Sequence, residues 1–254
     1  MPSDPLFYLV GWATTLLIAI GKGAFGGGLA ILGVPLLALV VEPLQGAIIV
    51  ALLVAGMDLF AIRAFGFATW SKPDLAWLMP GLVTGIGIGY AIFLMVDARI
   101  VTLIIGLTTL SFTAHWFLRG RLAPPGTLPV SPVLALFAGA ASGFTTFVAH
   151  AGGPPVAMYL LARGLSKTSF VGTTIAIFML GNLLKLPPYL SLALKQPSLL
   201  WGALALAPAA PLGVWLGRWL HDRLDQKRLF FACYRLLAAA ALKLTADAAL
   251  ALLR

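Results

Sequence analysis

The sequence predicts an all-α integral membrane protein with two inverted-topology repeats of about five helical elements each, and with broken or re-entrant helices near the midplane. Three features predict it: an apolar composition, apolar stretches along the whole length, and motifs that recur in both halves. The 254 residues are 61% hydrophobic and 10% charged, with a mean hydropathy of +1.01. A soluble domain of this size needs a charged surface, so we expect one integral membrane domain.

Apolar stretches are the predicted helical elements, because a hydrocarbon core about 30 Å thick requires about 20 apolar residues per crossing. Between the two sets of stretches, Arg121–Pro129 contains two adjacent prolines and a glycine, which do not continue a helix. We therefore expect a first repeat at 1–121, a linker at 122–129 and a second repeat at 130–254. The predicted elements are 6–21, 27–41, 44–64, 75–96 and 100–118, then 130–149, 154–163, 168–187, 198–219 and 229–250.

Motifs recur in the same order in both halves, which predicts an internal repeat. Because each half has an odd number of elements, the second half is expected to be inverted relative to the first. The recurring motifs are Pro80-x4-Gly85-x3-Gly89 with Pro208-x4-Gly213-x3-Gly217, Asp97-x-Arg99 with Asp225-x-Lys227, Pro73-x3-Trp77 with Pro197-x3-Trp201, and Gly23 and Gly33-x-Pro35 with Gly143 and Gly153-x-Pro155.

The basic loop residues support this count of elements over a rival with eight spans, in which they fall about equally on both sides. With ten elements, only Arg99, Lys195 and Arg254 fall on one side, and the positive-inside rule makes the other side cytoplasmic. The expectation is a multi-pass protein of a bacterial inner membrane with both termini outside. Segments 1–2 and 6–7 either cross the membrane fully or turn at mid-membrane as a hairpin. Both arrangements return the chain to the same side, so the charge distribution leaves both open. The cytoplasmic set is Arg63, Lys72, Arg119, Arg121, Arg163, Lys167, Arg218, Arg223, Lys227 and Arg228.

Several functional classes are not expected. The net charge of +9 is explained by these loops, so nucleic acid is not an expected partner. The single cysteine, Cys233, excludes an intramolecular disulfide and a multi-cysteine metal site. A G-x4-G-K-[ST] run, an H-E-x-x-H motif and a dense His/Cys/carboxylate cluster are all missing from the sequence, so no cofactor, metal or enzymatic activity is predicted. The apolar run near the N-terminus has no basic region before it and is expected to be a first span rather than a cleaved signal.

The first candidate site is the glycine-rich run from Gly21 to Gly28. Its G-x-G-x-x-G spelling has no preceding strand, so a dinucleotide site is not expected. Close helix packing by small residues is one interpretation. The other is a helix break, after which a new helix would present free N–H groups of Gly26, Gly27 and Gly28 to an anion.

The second candidate site occupies the matching place in the other half. Gly152 and Gly153 are expected to break the helix, and Pro154 to restart one. Two such breaks would meet near the midplane, where irregular backbone must be surrounded by protein or line a cavity. Thr145 and Thr146 could donate to a substrate or bond back to their own helix carbonyls.

Two basic side chains lie beside the predicted breaks. Lys22 is either a loop lysine that follows the positive-inside rule or a counter-charge for the substrate. His150 is either held in place by hydrogen bonds or able to bind an anion or carry a proton.

Asp58 and Asn182 occupy matching places in the third element of each half. An acidic residue inside an apolar run is expensive, so Asp58 is a candidate for proton coupling, with pairing to Arg63 or Lys22, or a purely structural role, as alternatives. Asn182 would supply a neutral polar contact. Lys185 is interpreted as lying near the end of its helix, where it extends toward the interface.

These motifs resemble the TauE/SafE family of sulfite and organosulfonate permeases. The residues that carry the resemblance are Gly26-Gly-Gly28, Gly33-Val-Pro35, His150-Ala-Gly-Gly-Pro-Pro155 and the Pro-x4-Gly-x3-Gly ridge of both halves. The resemblance covers nearly the whole chain, and its glycine-rich motifs specify the family better than the substrate. It implies a secondary anion transporter of inverted repeats, often an exporter of sulfite, sulfoacetate or related organosulfonates.

The expected function is therefore export of small sulfur-containing anions by alternating access, with protons as a candidate coupling ion. The expected partners are a small anionic substrate and the lipid bilayer, and the sequence does not choose between a monomer and a homodimer. Three alternatives remain: a cation carrier that uses Asp58, a carrier of another organic anion, and a non-transporting membrane scaffold.

Overall fold

The computed structural model describes residues 5–27, 29–95, 107, 129–223, 242, 246 and 250. These residues form helices and connecting turns and contain no strand, which confirms the all-α class. Residues 122–128 of the linker and most of the predicted elements 100–118 and 229–250 lie outside the described residues. Gly28 lies outside them as well.

Helices in the described part of the chain are numbered α1 to α9 in chain order. Two short 3-10 turns, Ala30–Leu32 and Phe67–Thr69, precede α2 and α4. The helices are α1 Pro5–Phe25, α2 Gly33–Leu37, α3 Pro43–Phe65, α4 Lys72–Met95, α5 Pro132–Ala149, α6 Gly153–Ala162, α7 Lys167–Leu194, α8 Pro197–Leu206 and α9 Ala209–His221.

Five stretches are long and apolar enough to cross a membrane: α1, α3, most of α4, α7, and the α8–α9 pair. By contrast, α2 has five residues and α6 has ten, which at 1.5 Å per residue is about half of a hydrocarbon core or less. Together with the apolar composition, these stretches identify a multi-pass membrane protein.

The helices of the two halves pack against each other in pairs: α1 with α9, α4 with α5, and α3 with α7. Small residues allow the first two pairs to approach closely. A Cβ atom on Gly85 of α4 would lie 2.0 Å from the Ala140 carbonyl oxygen of α5, and one on Gly217 of α9 would lie 2.2 Å from that of Ile20 in α1. The recurring Pro-x4-Gly-x3-Gly ridge is therefore a close-packing surface in both halves.

Two helix boundaries differ from the sequence prediction. Helix α7 does not end at 187 but continues through Pro187 and Pro188 to Leu194. Beyond the prolines, Tyr189 and Ala193 are fully buried, and the Tyr189 hydroxyl donates to the Phe147 carbonyl at 2.7 Å. This packing compensates for the hydrogen bonds that the prolines remove.

The predicted segment 198–219 is interrupted at 207–208, between α8 and α9. Pro208 lacks an N–H group and lies immediately before the first residue of α9, as prolines at helix starts do. Its repeat partner Pro80 lies inside an unbroken α4.

Candidate functional site

The first interruption follows α1, where Gly26 and Gly27 have φ values of 79° and 120°. Side chains rarely tolerate these angles, which explains the glycines. The expectation that Gly26 offers a free N–H group is wrong, because this group donates to the Lys22 carbonyl at 3.0 Å. The following α2 has only five residues, so it offers a weak dipole end.

The second interruption follows α5, where His150 has a φ of 51°, in the left-handed region. The N–H groups of His150 and Ala151 donate back to the carbonyls of Thr146 and Thr145, at 3.2 and 3.1 Å, and close the end of α5. Helix α6 then begins at Gly153. Within the described residues, the N–H groups of Gly152 and Gly153 donate to no protein acceptor, as expected for the first turn of a helix.

A cavity of about 20 Å³, lined by both polar and apolar residues, lies between α1, α3, α7 and the two interruptions. One water molecule needs about 10–15 Å³ of such volume, so the cavity has room for about one water molecule in this conformation. One residue of each interruption, Gly27 and Gly153, lines the cavity. The other lining residues are Ile18, Lys22, Ala30, Val54, Thr146, His150, Phe178, Asn182 and Lys185.

Asp58 of α3 joins two of these lining residues. Its Oδ1 atom lies 2.6 Å from Lys22 Nζ in a buried ion pair, and its Oδ2 atom accepts from Asn182 Nδ2 at 2.6 Å. Lys22 also donates to the Val54 carbonyl at 3.1 Å. Of Arg63 and Lys22, the two predicted ion-pair partners of Asp58, the structure pairs it with Lys22. The charge of this lysine is thus compensated inside the protein.

Lys185 of α7 is the second cation at the cavity, and its side chain is 1% exposed. Its Nζ atom donates to the Thr146 carbonyl at 3.2 Å and to Thr146 Oγ1 at 3.1 Å, and lies 3.0 Å from His150 Nδ1. In the described ranges, no carboxylate forms an ion pair with it. The interpretation that Lys185 extends toward the interface is wrong, because α7 continues nine residues beyond it to Leu194.

The hydrogen bonds of His150 assign its protonation. Its Nε2 atom lies 3.1 Å from the Ala47 carbonyl oxygen, which only accepts, so Nε2 carries a hydrogen. Its Nδ1 atom faces the Lys185 ammonium, which only donates, so Nδ1 carries none. His150 is therefore a neutral imidazole that orients Lys185.

The structure brings six of the predicted site residues to the cavity and leaves others outside its lining. Thr145 Oγ1 donates to the Ala141 carbonyl at 2.6 Å, which is its structural alternative. Gly152 accepts from Ser142 Oγ at 2.8 Å through its carbonyl, and Gly26 does not line the cavity. Of Pro154 only the backbone is described, in the first turn of α6. The six that line it are Lys22, Gly27, Thr146, His150, Gly153 and Asn182.

Five lining residues were missed by the sequence prediction: Ile18, Ala30, Val54, Phe178 and Lys185. A signal was available: Phe178, Asn182 and Lys185 are spaced at i, i+4 and i+7, which places them on one face of a helix. Placing the helix end at Pro187 put Lys185 near the interface rather than in the interior.

A second buried polar cluster ties α4 to α6. Asp74, in the first turn of α4, is 0% exposed and accepts from Tyr159 at 2.7 Å, Arg163 Nε at 2.8 Å and Ser71 Oγ at 2.6 Å. Ser71 also donates its N–H to Thr173 Oγ1 of α7 at 2.8 Å. The far end of α6 is therefore fixed by a buried carboxylate, while its first turn lies at the cavity.

Comparison with known proteins identifies the family. The family model described as sulfite exporter TauE/SafE matches residues 12–244. The chain belongs to the TauE/SafE family. The resemblance inferred from the motifs is thus confirmed, and TauE/SafE membership makes the chain a membrane protein of a sulfite-exporter class. Neither the curated proteins nor the solved structures contain a match.

Proposed function

We propose that this TauE/SafE protein is a secondary transporter that exports small sulfur-containing anions, such as sulfite, sulfoacetate or other organosulfonates, by alternating access. The observation that carries the proposal is Lys185, a buried ammonium at this cavity with no carboxylate partner in the described part of the chain. Buried charges are normally paired, and ionisable groups inside a membrane protein mark substrate paths. A transported anion is the partner that Lys185 lacks.

The anion would sit between Lys185 and the first turn of α6. Gly153, Asn182 and Thr146 line the cavity, and the N–H group and positive dipole end at the start of α6 would favour negative charge there. On the first-half side, Gly27 lines the cavity and Lys22 adds a second, already compensated, positive group. In this arrangement Gly26, Gly152 and Thr145 shape the two interruptions, and Pro154 lies in the first turn of α6.

Inverted repeats would supply the two halves that move. The α1–α9 and α4–α5 pairs each join the first element of one half to the fourth of the other, and the third elements, α3 and α7, pack together. This exchange is what a two-fold axis in the membrane plane produces, and it supports rocking of one repeat against the other about the cavity. If the basic loops lie on the cytoplasmic side, both termini would lie on the opposite, outer side of the inner membrane.

Protons would couple through Asp58, with His150 as a second candidate. Protonation of Asp58 would release Lys22 from its ion pair at 2.6 Å and raise the positive charge at the cavity. A cation carrier built on Asp58 fits the geometry less well. Both carboxylate oxygens already face a donor or cation, and Lys185 lines the same cavity and repels a cation.

Flux measurements in proteoliposomes test the proposal. The purified protein is expected to carry sulfite or an organosulfonate, while Lys185→Gln is expected to lower that flux at least tenfold, because the amide lacks the charge. Lys195→Gln is the matched control, since Lys195 is an exposed lysine just after the same helix. Unchanged flux in Lys185→Gln would place the site elsewhere, and absence of flux for every sulfur oxyanion would favour a scaffold.

A further inference from the structure

We infer that the cavity prefers oxyanions of charge −1 over those of charge −2, and that Asp58 sets this preference. The inference rests on the proposed function, because it describes which anions the same cavity accepts. It starts from the fixed charges around the cavity rather than from its shape.

Three charged side chains contribute to the net charge around the cavity. Lys22 and Asp58 form an ion pair at 2.6 Å and cancel, which leaves Lys185 as the net charge of +1. His150 adds nothing, because its two ring nitrogens face a carbonyl and an ammonium as a neutral imidazole. The residues that line the cavity in the described ranges include no other ionisable group.

A monoanion brings this group of charges to zero, whereas a dianion leaves one negative charge uncompensated. In a buried site of low dielectric constant, an uncompensated charge is costly because little water solvates it. The second interruption offers N–H groups that help either anion, but neutral dipoles do not cancel a whole charge. The preference for monoanions over dianions therefore follows from the net charge of +1 around the cavity.

Asp58 acts on this preference without lining the cavity. It is a positioning residue: it holds Lys22 on one oxygen and Asn182 on the other. Replacing it with asparagine keeps the shape of the side chain and removes its charge, which raises the net charge to +2 and matches a dianion. A proton on Asp58 has the same effect, so a dianion that enters with one proton is equivalent to a monoanion.

Competition between two non-titrating anions tests the inference. Methanesulfonate and sulfate are similar in size and both carry sulfonyl oxygens, but near neutral pH their charges stay at −1 and −2. Each is added as a competitor of sulfite flux in proteoliposomes at pH 7. In the native protein, methanesulfonate is expected to compete at a concentration at least tenfold lower than sulfate. Asp58→Asn is expected to reduce that ratio at least tenfold, whereas Asp222→Asn, at an exposed carboxylate, leaves it unchanged.

A charge-neutral double variant separates charge from local contacts. Lys22→Gln with Asp58→Asn keeps the net charge at +1, so it is expected to keep the native preference. Lys22→Gln alone lowers the net charge to zero and is expected to weaken competition by both anions. If Asp58→Asn does not fold, the double variant compared with Lys22→Gln still gives the test, since the double variant should bind methanesulfonate more tightly.

The failures of the two proposals are distinguishable. If sulfite is not carried and neither anion binds, the proposed function itself is wrong. If sulfite is carried but sulfate competes as well as methanesulfonate, the charge inference is overturned and the proposed function stands. The inference is also overturned if Asp58→Asn is active with an unchanged ratio.

Discussion

The two interruptions at the cavity occupy matching places in the sequence but are built differently. The first uses glycine, at φ values that side chains rarely tolerate, and leads into a five-residue helix. The second places a histidine in the left-handed region and leads into a ten-residue helix. The N–H groups of Gly152, just before this helix, and of Gly153, its first residue, donate to no protein acceptor in the described residues. The first interruption depends on the absence of a side chain, and the second on the presence of one.

The two lysines at the cavity also differ between the halves. Lys22 of the first half is compensated by Asp58, whereas Lys185 of the second half is held by Thr146 and by neutral His150. An anion is therefore expected to interact more strongly with the second-half side of the cavity. The charges around the cavity are therefore arranged asymmetrically between the two halves.

The largest expected effect concerns the packing that holds both halves together. In Gly85→Ala the new Cβ would overlap the Ala140 carbonyl, and in Gly217→Ala that of Ile20, because backbone cannot move aside as a flexible side chain can. Each variant is expected to lose about 3 kcal/mol of stability, the upper part of the range for overpacking. Thermal unfolding in detergent measures the loss.

Gly87→Ala is the matched control, since an added Cβ there meets no atom within 4 Å. It should be neutral or slightly stabilising, because alanine favours helix over glycine. If Gly85→Ala and Gly217→Ala behaved like this control, close packing would not hold either half.

The next effect separates the two interruptions. Gly27→Ala places a side chain at φ 120° and 3.2 Å from the Phe178 ring, so it is expected to cost about 1–3 kcal/mol of stability. His150→Gly relieves the left-handed backbone but deletes a buried imidazole and its hydrogen bond to the Ala47 carbonyl, so it is also expected to cost about 1–3 kcal/mol of stability. Unlike Gly27→Ala, it should weaken anion binding about tenfold, or about 1.4 kcal/mol, because Lys185 loses an orienting partner.

Thermal unfolding and anion titration on the same samples check both variants. The comparison fails if the effects are exchanged, with Gly27→Ala changing affinity alone and His150→Gly changing stability alone.

The sequence predicted the membrane class, the two interruptions and most of the cavity lining from simple signals. Glycine runs inside apolar stretches predicted the interruptions, and the matching of Asp58 with Asn182 across the halves anticipated their direct contact at 2.6 Å. Lys185 was missed because a proline pair normally ends a helix, and only buried contacts of Tyr189 show that α7 continues. Contacts distant in sequence cannot be read from local pattern.

The Asp74 cluster was missed for a related reason. Asp74 lies in the first turn of α4, where an acidic residue is common because it interacts favourably with the helix dipole. Its partners Tyr159 and Arg163 come from the other half, 85 and 89 residues away. No spacing in the sequence connects them.

The smallest expected effect tests whether this cluster supports only the second interruption. Tyr159→Phe removes one hydrogen bond to Asp74 and keeps those from Arg163 and Ser71, so the loss of stability should be about 0.5–1.5 kcal/mol. Anion affinity should stay within about twofold, because Asp74 keeps its ion pair and α6 stays anchored. Tyr8→Phe, on a partly buried tyrosine of α1, provides the comparison for removing a hydroxyl from the first half. A large loss of affinity in Tyr159→Phe with little change in unfolding temperature would show that the cluster positions the first turn of α6 rather than stabilising the fold.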